Sequence, residues 1–320
     1  LYIGGGTPSI LSPQSLDRLL TGINRRADLS GMKEVTIEGN PEDITQESLS
    51  LYANLGINRV SIGVQSFNDA SLSAIGRRHS SQAAYKALDA LASSGMNYNA
   101  DLIYGQPGQS MEMWERDLEQ MLHFSPPHLS AYLLSYESGT RLYAMLANGR
   151  ISEAPEELAI GMYRLLCELT VKNGYGHYEI SNFAKEGKQA VHNSLYWNYT
   201  PYLGLGASAH SFDGKIRRMN PCNTKVYMNT ISAGATACSQ EDETDGNRYN
   251  DYIITSLRTS AGYSPQFALE RFGSGLTTQF NRNRIGLPSG MLELLPSGNM
   301  RIPEREWLKS DSILRELIVD

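Results

Sequence analysis

Four side chains in the first third of this chain could grip one small charged ligand between them: Glu38, Gln65, Arg77 and Asp101. Glu38 closes Val-Thr-Ile-Glu just before Gly39-Asn40-Pro41, and Gln65 closes Val60-Ser61-Ile62-Gly63-Val64-Gln65 before Ser66-Phe67. A Glu or Gln at the end of an apolar run is as consistent with a solvated or capping group as with a ligand contact. Asp101 lies inside Tyr98-Asn99-Ala100-Asp101-Leu102-Ile103-Tyr104-Gly105, and a carboxylate buried there needs a partner or a ligand, because leaving it unpaired is costly. Arg77, in Ile75-Gly76-Arg77-Arg78-His79, reads equally as a charged helix end or as a guanidinium reaching a ligand carboxylate in a bidentate pair. Ahead of them all stands Leu1-Tyr2-Ile3-Gly4-Gly5-Gly6-Thr7-Pro8. Three adjacent glycines place no Cβ between a ligand and the backbone, and just past a strand they suit close approach of a charged small molecule.

The elements that must position these residues follow a rhythm. Short apolar runs at Leu1–Gly4, Val35–Glu38, Val60–Gln65, Tyr98–Tyr104, Leu129–Leu134 and Tyr178–Ser181 alternate with amphipathic stretches. One stretch carries Leu16, Leu19, Leu20 and Ile23 behind Ser12-Pro13, a capping residue and a proline at the first helical position. Others carry Ala84, Leu88 and Leu91, then Met111, Trp114, Leu118 and Met121, then Leu158, Met162, Leu165 and Leu169. Alternation of this kind predicts an α/β fold, a parallel sheet with helices outside it. In parallel α/β barrels ligands bind at the C-terminal ends of the strands, where Glu38, Gln65 and Asp101 fall. The rhythm fades near residue 205, which predicts a first domain over 1–205 and a second over 206–320. The second has helical patterns at 222–233, 246–258 and 264–272, a hairpin around Pro296-Ser297-Gly298-Asn299 and a last helix near 304–318. That order suggests a small helical, winged-helix-like domain.

A chain of 320 residues with 41% hydrophobic and 19% charged residues can bury a large core. A net charge of −6 argues against a general grip on nucleic acid. Cys167, Cys222 and Cys238 are too few for a disulfide framework and fit a reducing cytoplasm; their spacing matches no metal motif. No apolar run is long enough to span a bilayer. Trp114, Met111 and Met121 read as core at helical spacing. His123 and His128, flanking Pro126-Pro127, read as a solvated turn.

Together the motifs are more specific than any one of them. Gly4-Gly5-Gly6-Thr7-Pro8-Ser9, Glu38-Gly39-Asn40-Pro41, Ser61-Ile62-Gly63-Val64-Gln65-Ser66-Phe67, Gly76-Arg77-Arg78-His79 and Asp101-Leu102-Ile103-Tyr104-Gly105-Gln106-Pro107-Gly108 resemble, in order and spacing, the radical S-adenosylmethionine proteins related to oxygen-independent coproporphyrinogen III oxidase. A second set narrows the resemblance to that family's haem-chaperone branch: Tyr178-Glu179-Ile180-Ser181-Asn182-Phe183-Ala184, His192-Asn193-Ser194-Leu195-Tyr196-Trp197 and Tyr202-Leu203-Gly204-Leu205-Gly206-Ala207-Ser208-Ala209-His210-Ser211. The resemblance implies a partial (β/α)6 TIM-like barrel that here lacks its first βα unit. It implies that Gly5, Gly6 and Thr7 hold the amino-acid end of S-adenosylmethionine and that Glu38, Gln65, Arg77 and Asp101 line its pocket. It implies that His192, Asn193, Tyr196 and Trp197 form a haem-handling surface, with His192 the expected iron ligand and His210 the runner-up.

The family also implies a [4Fe–4S] cluster held by a C-x-x-x-C-x-x-C loop after the first strand, ahead of the glycines. The cysteines present are too scattered to replace that loop, so this chain as written is expected to hold no such cluster and not to cleave S-adenosylmethionine. Truncation ahead of Leu1 is the expected reason. It would leave Leu1–Gly4 as an edge strand inviting self-association.

The His192–Trp197 stretch also has a plain reading as aromatic packing. A porphyrin face burying several hundred Å² gains on the order of 10 kcal/mol, while association costs roughly 4–15 kcal/mol. Stacking alone is therefore weak, and an iron–His bond has to add to it. The implied function is haem binding and delivery to haem-accepting apoproteins, a membrane-protein client among the candidates, with an unspecified electron donor. Two alternatives stand beside it: an oxygen-independent coproporphyrinogen III oxidase, and a generic nucleotide-binding barrel.

Overall fold

The computed structural model describes residues 1–241 and 243–319. By internal packing the chain divides into Leu1–His192 and Asn193–Asp320, a break somewhat ahead of residue 205, where the βα rhythm fades.

The first unit is built on strands β1 (Tyr2–Ile3), β2 (Thr36–Gly39), β3 (Arg59–Gln65), β4 (Asn97–Tyr104), β5 (His128–Leu133), β6 (Gly176–Glu179) and β7 (Asn182–Ala184). They form one sheet in the order β1-β2-β3-β4-β5-β7-β6. Neighbours from β1 to β5 pair in parallel. Val60, Ile62 and Val64 on β3 and Ala100 and Leu102 on β4 are fully buried, as expected of strands covered on both faces. The helices of this unit are α1 (Pro13–Asn24), α2 (Gln46–Asn54), α3 (Asp69–Ala74), α4 (Ser81–Ser94), α5 (Met111–Phe124), α6 (Arg141–Ala147), which buries no residue, and α7 (Glu156–Lys172). The apolar faces of α1, α2, α4, α5 and α7 enter the core through Leu16 and Leu20, Leu49 and Tyr52, Leu88 and Leu91, Trp114, Leu118 and Met121, and Met162 and Leu166. Ser12, Ser80 and Ser110 each accept a backbone N–H from the first turn of the helix they precede. This is the α/β architecture with a mostly parallel sheet that the rhythm predicts.

Two expectations change here. The run at Tyr178–Ser181 does not form a sixth strand laid directly beside β5. β6 and β7 fold as an antiparallel hairpin, and β7 is the one that pairs with β5. Only Ile180 and Ser181 separate these strands, a gap that allows a hairpin and no crossover. His128, read from sequence as part of a solvated turn, is instead 0% exposed at the start of β5, because polar partners from two distant strands receive it there.

Helix α8 (Val191–Trp197) crosses the division. In the second unit, β8 (His210–Phe212), β9 (Arg217–Met219) and β10 (Ser239–Glu241) make a small antiparallel sheet. Around it are α9 (Thr224–Ser232), α10 (Asp245–Ser256) and α11 (Pro265–Ile285), the hairpin β11 (Glu293–Leu294) and β12 (Met300–Arg301), and α12 (Ser310–Arg315). α11 runs beyond the expected 264–272 after a break at Gly273, whose φ of 83° no other residue type adopts readily. The expected last helix is divided into a 3-10 segment, Glu304–Lys309, and α12. An aromatic core of Tyr249, Tyr263, Phe280 and Trp307 holds this unit, with the Tyr249 and Tyr263 hydroxyls 2.6 Å apart. Among the described residues no helix is long and apolar enough to cross a membrane.

Candidate functional site

The C-terminal ends of β1 to β4 meet at one open cleft. Gly6, Thr7, Glu38, Ser61, Gly63, Gln65, Arg77 and Asp101 are among the residues that line it. Parallel pairing explains the convergence. With β1 to β4 all pointing the same way, their final residues and the loops after them share one rim.

Glu38 organises the entrance. One carboxylate oxygen accepts the Tyr2 hydroxyl at 2.7 Å and the other accepts the Gly5 N–H at 3.0 Å. Gly5 and Gly6 both have left-handed φ, 82° and 72°, so the loop turns sharply where side chains would resist it. A Cβ at Gly4 would lie 2.6 Å from the Tyr2 ring and 2.8 Å from Glu38, hence the third glycine. Gly5 thus acts through its bond to Glu38, while Gly6 and Thr7 face the cleft itself.

Gln65 is held in a costly conformation. Its φ is 69° at a register irregularity between β3 and β4, in a left-handed region that non-glycine residues occupy at a cost. Its backbone carbonyl accepts the Gln106 side-chain amide at 3.2 Å. Its own Oε1 is buried without a hydrogen-bond partner, an acceptor that a bound ligand could satisfy. A Cβ on Gly63 would sit 2.7 Å from Gln65 Nε2, with an Arg77 nitrogen 3.8 Å away, so this glycine preserves the room in which the amide and guanidinium stand.

Asp101 lies at the floor. Burial, above all, pushes its carboxyl up to about 6, against the opposing pull of hydrogen bonds from Ser130 and Asn99. Asn99 donates to Asp101 at 2.6 Å and to Ser61 Oγ at 3.0 Å. The Asn99 oxygen accepts from His128 Nδ1, and His128 Nε2 lies 2.7 Å from the Tyr178 hydroxyl. With Nδ1 donating, Nε2 accepts the Tyr178 proton, and the imidazole is neutral. Its burial lowers its basicity well below the usual histidine range. Further along the sheet interior Glu179 is 1% exposed, and burial raises its carboxyl to about 7.

At the other candidate site, the ring of His192 stacks on Tyr2 with centroids 4.7 Å apart and planes inclined by 17°. The N–H groups of Val191 and His192 donate to the two oxygens of Glu34, at 2.9 and 3.0 Å. Glu34 is buried, and Arg59 is 3.8 Å from it. Burial is the main influence lowering the basicity of the His192 imidazole, which favours the neutral form that ligates metals. Asn193, Tyr196 and Trp197 belong to the second unit, where Tyr196 packs edge-on against Tyr202 at 4.7 Å. His210 is exposed on β8.

Tyr2, Glu34, Ser61 and the Asn99–His128–Tyr178 chain were not singled out from sequence. A tyrosine two residues before the glycines and an Asn two residues before Asp101 were the available signals. Two residues apart on a strand, Asn99 and Asp101 must share a face.

The cleft fits S-adenosylmethionine in its donor set: an unsatisfied buried amide oxygen, a guanidinium, two carboxylates and glycine-exposed backbone. The cluster is different. Among the described residues no group of three or more His, Cys, Asp or Glu could hold a metal ion. Cys167, Cys222 and Cys238 do not form an iron–sulfur ligand set.

A parallel sheet with a polar, glycine-edged cleft at its strand ends is shared by several α/β classes, and here residues 1–121 match the family model described as the Radical SAM superfamily. A coproporphyrinogen III oxidase from Escherichia coli, HemN, described as a radical SAM enzyme, shares the fold with a TM-score of 0.83 at 20% identity, over 100% of this chain and 77% of that one. The heme chaperone HemW of Bacillus subtilis is 34% identical over 283 residues, 88% of this chain and 75% of that protein. The HemW of Lactococcus lactis is 41% identical over 221 residues, 69% of this chain and 58% of that protein, and the one from E. coli is 38% identical over 68% of this chain and 58% of that protein. This chain belongs to the HemW family of HemN-like radical SAM proteins. It spans less than two thirds of the length of the lactococcal and E. coli relatives.

Proposed function

We propose that this protein binds haem and hands it to haem-accepting apoproteins, and that its strand-end cleft holds S-adenosylmethionine. Membership in the HemW family carries the reading, with the His192-Asn193-x-x-Tyr196-Trp197 stretch as its local support. In the cleft, Arg77 suits the ligand carboxylate, Gln65 Oε1 suits a donor on the ligand, and Glu38 and Asp101 suit its positive charges and hydroxyls. The chemistry the cofactor supplies when bound is a sulfonium open to reductive cleavage. This chain's own residues bind and orient it, and Asp101 can take or release a proton near pH 6. The family implies a [4Fe–4S] cluster as well, for which the ligands are not found among these residues. Haem is the cargo, with His192 as its iron ligand and Asn193, Tyr196 and Trp197 as further contacts. A reducing cytoplasmic setting and a membrane-protein client among the recipients belong to the same reading.

The second reading is oxidative decarboxylation of coproporphyrinogen III, favoured by the HemN fold; at 20% identity that likeness speaks for fold alone. Haem-loaded full-length protein carrying its cluster, incubated with a haem-free acceptor, alongside product analysis with coproporphyrinogen III under anaerobic reducing conditions, separates the two. Haem transfer without a decarboxylated product is expected. Decarboxylated product without transfer would replace the first reading with the second.

A further inference from the structure

Tyr2 touches both candidate sites. Its ring is the surface on which His192 lies, 4.7 Å between centroids, and its hydroxyl donates to Glu38 at 2.7 Å in the wall of the strand-end cleft. Burial, first, and the adjacent Glu38 carboxylate raise the phenol's pKa, so the hydroxyl stays a donor. The backbone at His192 is fixed independently: Glu34 accepts the N–H groups of Val191 and His192 and lies near the buried Arg59. What Tyr2 governs is therefore the His192 ring, not the start of the helix. A second connection runs through the sheet interior. Asp101 is bonded to Asn99, Asn99 to His128 and His128 to Tyr178, and the Tyr178 hydroxyl accepts the Ala190 N–H at 3.4 Å, two residues before His192. Both cleft carboxylates are thus linked by direct contacts to the segment carrying His192.

Resting on the reading that the cleft holds S-adenosylmethionine and His192 ligates haem iron, we propose that Tyr2 is a positioning residue shared by the two sites and makes their occupancies favour one another. A cationic ligand group at Glu38 competes with the Tyr2 hydroxyl for the same carboxylate. Once that hydrogen bond is lost, the Tyr2 ring is held only by its packing and by the nearby Ser61, and His192 turns from it toward iron at lower cost. Such linkage is reciprocal, so haem raises the affinity for S-adenosylmethionine by the same factor.

The test is a Soret-band titration of the haem-free protein with ferric haem, without reductant, with and without saturating S-adenosylmethionine, on wild type, Tyr2→Phe and His192→Ala. Calorimetry establishes that the cleft is filled in each. In wild type the cofactor tightens haem binding about tenfold, the scale of one charge-assisted hydrogen bond. Tyr2→Phe, which keeps the ring and loses the hydroxyl, binds haem without cofactor as wild type does with it, and the cofactor has no further effect. Loss of haem affinity in His192→Ala, together with an unchanged cofactor effect in Tyr2→Phe or none in wild type, overturns the inference and leaves the haem-ligand reading standing. Unaltered haem affinity in His192→Ala removes both. If Tyr2→Phe does not fold, equal S-adenosylmethionine affinity of wild type with and without haem overturns the coupling.

Discussion

The strand-end cleft and the His192–Phe212 stretch are made of different material. Around the cleft, Glu38 has both oxygens engaged, Asp101 is braced by Asn99, and Gln65 is pinned by the strand register and by Gln106. From Val191 to Phe212 there are only one short helix and one three-residue strand, and Tyr196, Leu203 and Leu205 stand exposed at 40%, 77% and 65%. A small, highly charged ligand is recognised by groups held rigidly before it arrives. A flat apolar cargo that has to be released is better served by exposed aromatic and aliphatic surface with few anchors, because extensive enclosure would slow its departure.

The largest effect expected lies in the cost of preorganising polar groups inside the sheet. Glu179 is neutral in the folded protein up to about pH 7, against an ordinary value of 4.5. The folded state therefore binds more protons than the unfolded one between these values, and stability falls as pH rises through that window. Glu179→Gln removes the Glu179 share of that dependence, leaving the part due to Asp101, and is more stable than wild type at pH 8 by up to about 3 kcal/mol, measured by denaturant unfolding at pH 5 and pH 8. Parallel pH profiles for the two proteins would break this account of the interior.

Next in size is the cleft itself. Asp101→Asn lowers S-adenosylmethionine affinity, measured without haem, by roughly tenfold to a hundredfold, the scale of one hydrogen bond to a charged group. In wild type the Asp101 carboxylate is charged above about pH 6 and neutral below it, so affinity falls as pH drops through 6, whereas Asp101→Asn titrates flat. Gly63→Ala forces a Cβ to within 2.7 Å of Gln65 Nε2 and weakens cofactor binding by about tenfold through displacement of that amide; calorimetry reads both variants. The smallest effect falls on the exposed stretch. Tyr196→Ala weakens haem binding only about threefold to tenfold, since its half-exposed ring contributes contact area alone. If it equalled Asp101→Asn in size, the contrast between a rigid site and an open one would fail.

The same contrast decides what was legible in the sequence. Glu38, Gln65 and Asp101 could be read because each ends or interrupts an apolar run, and parallel strands bring such ends together. Arg77 was ambiguous in the sequence, and the structure places it on the same cleft. The left-handed Gln65 was hidden, because nothing in Gly63-Val64-Gln65 marks a strained residue. His128 was misread because its partners Asn99 and Tyr178 are 29 and 50 residues away, and no local pattern reports them. The antiparallel β7 was concealed in a continuous motif, Tyr178 to Ala184, whose turn is only two residues long. The Tyr2–Glu38 bond joins residues 36 apart and became visible only once β1 and β2 were paired.

Whether His192 is the anchor of the open site is settled most directly by titrating haem into wild type, His192→Ala and His210→Ala and following the Soret band. The account predicts that His192→Ala loses most of the affinity and shifts the band, while His210→Ala matches wild type. Equal affinity and an identical band for wild type and His192→Ala would contradict it.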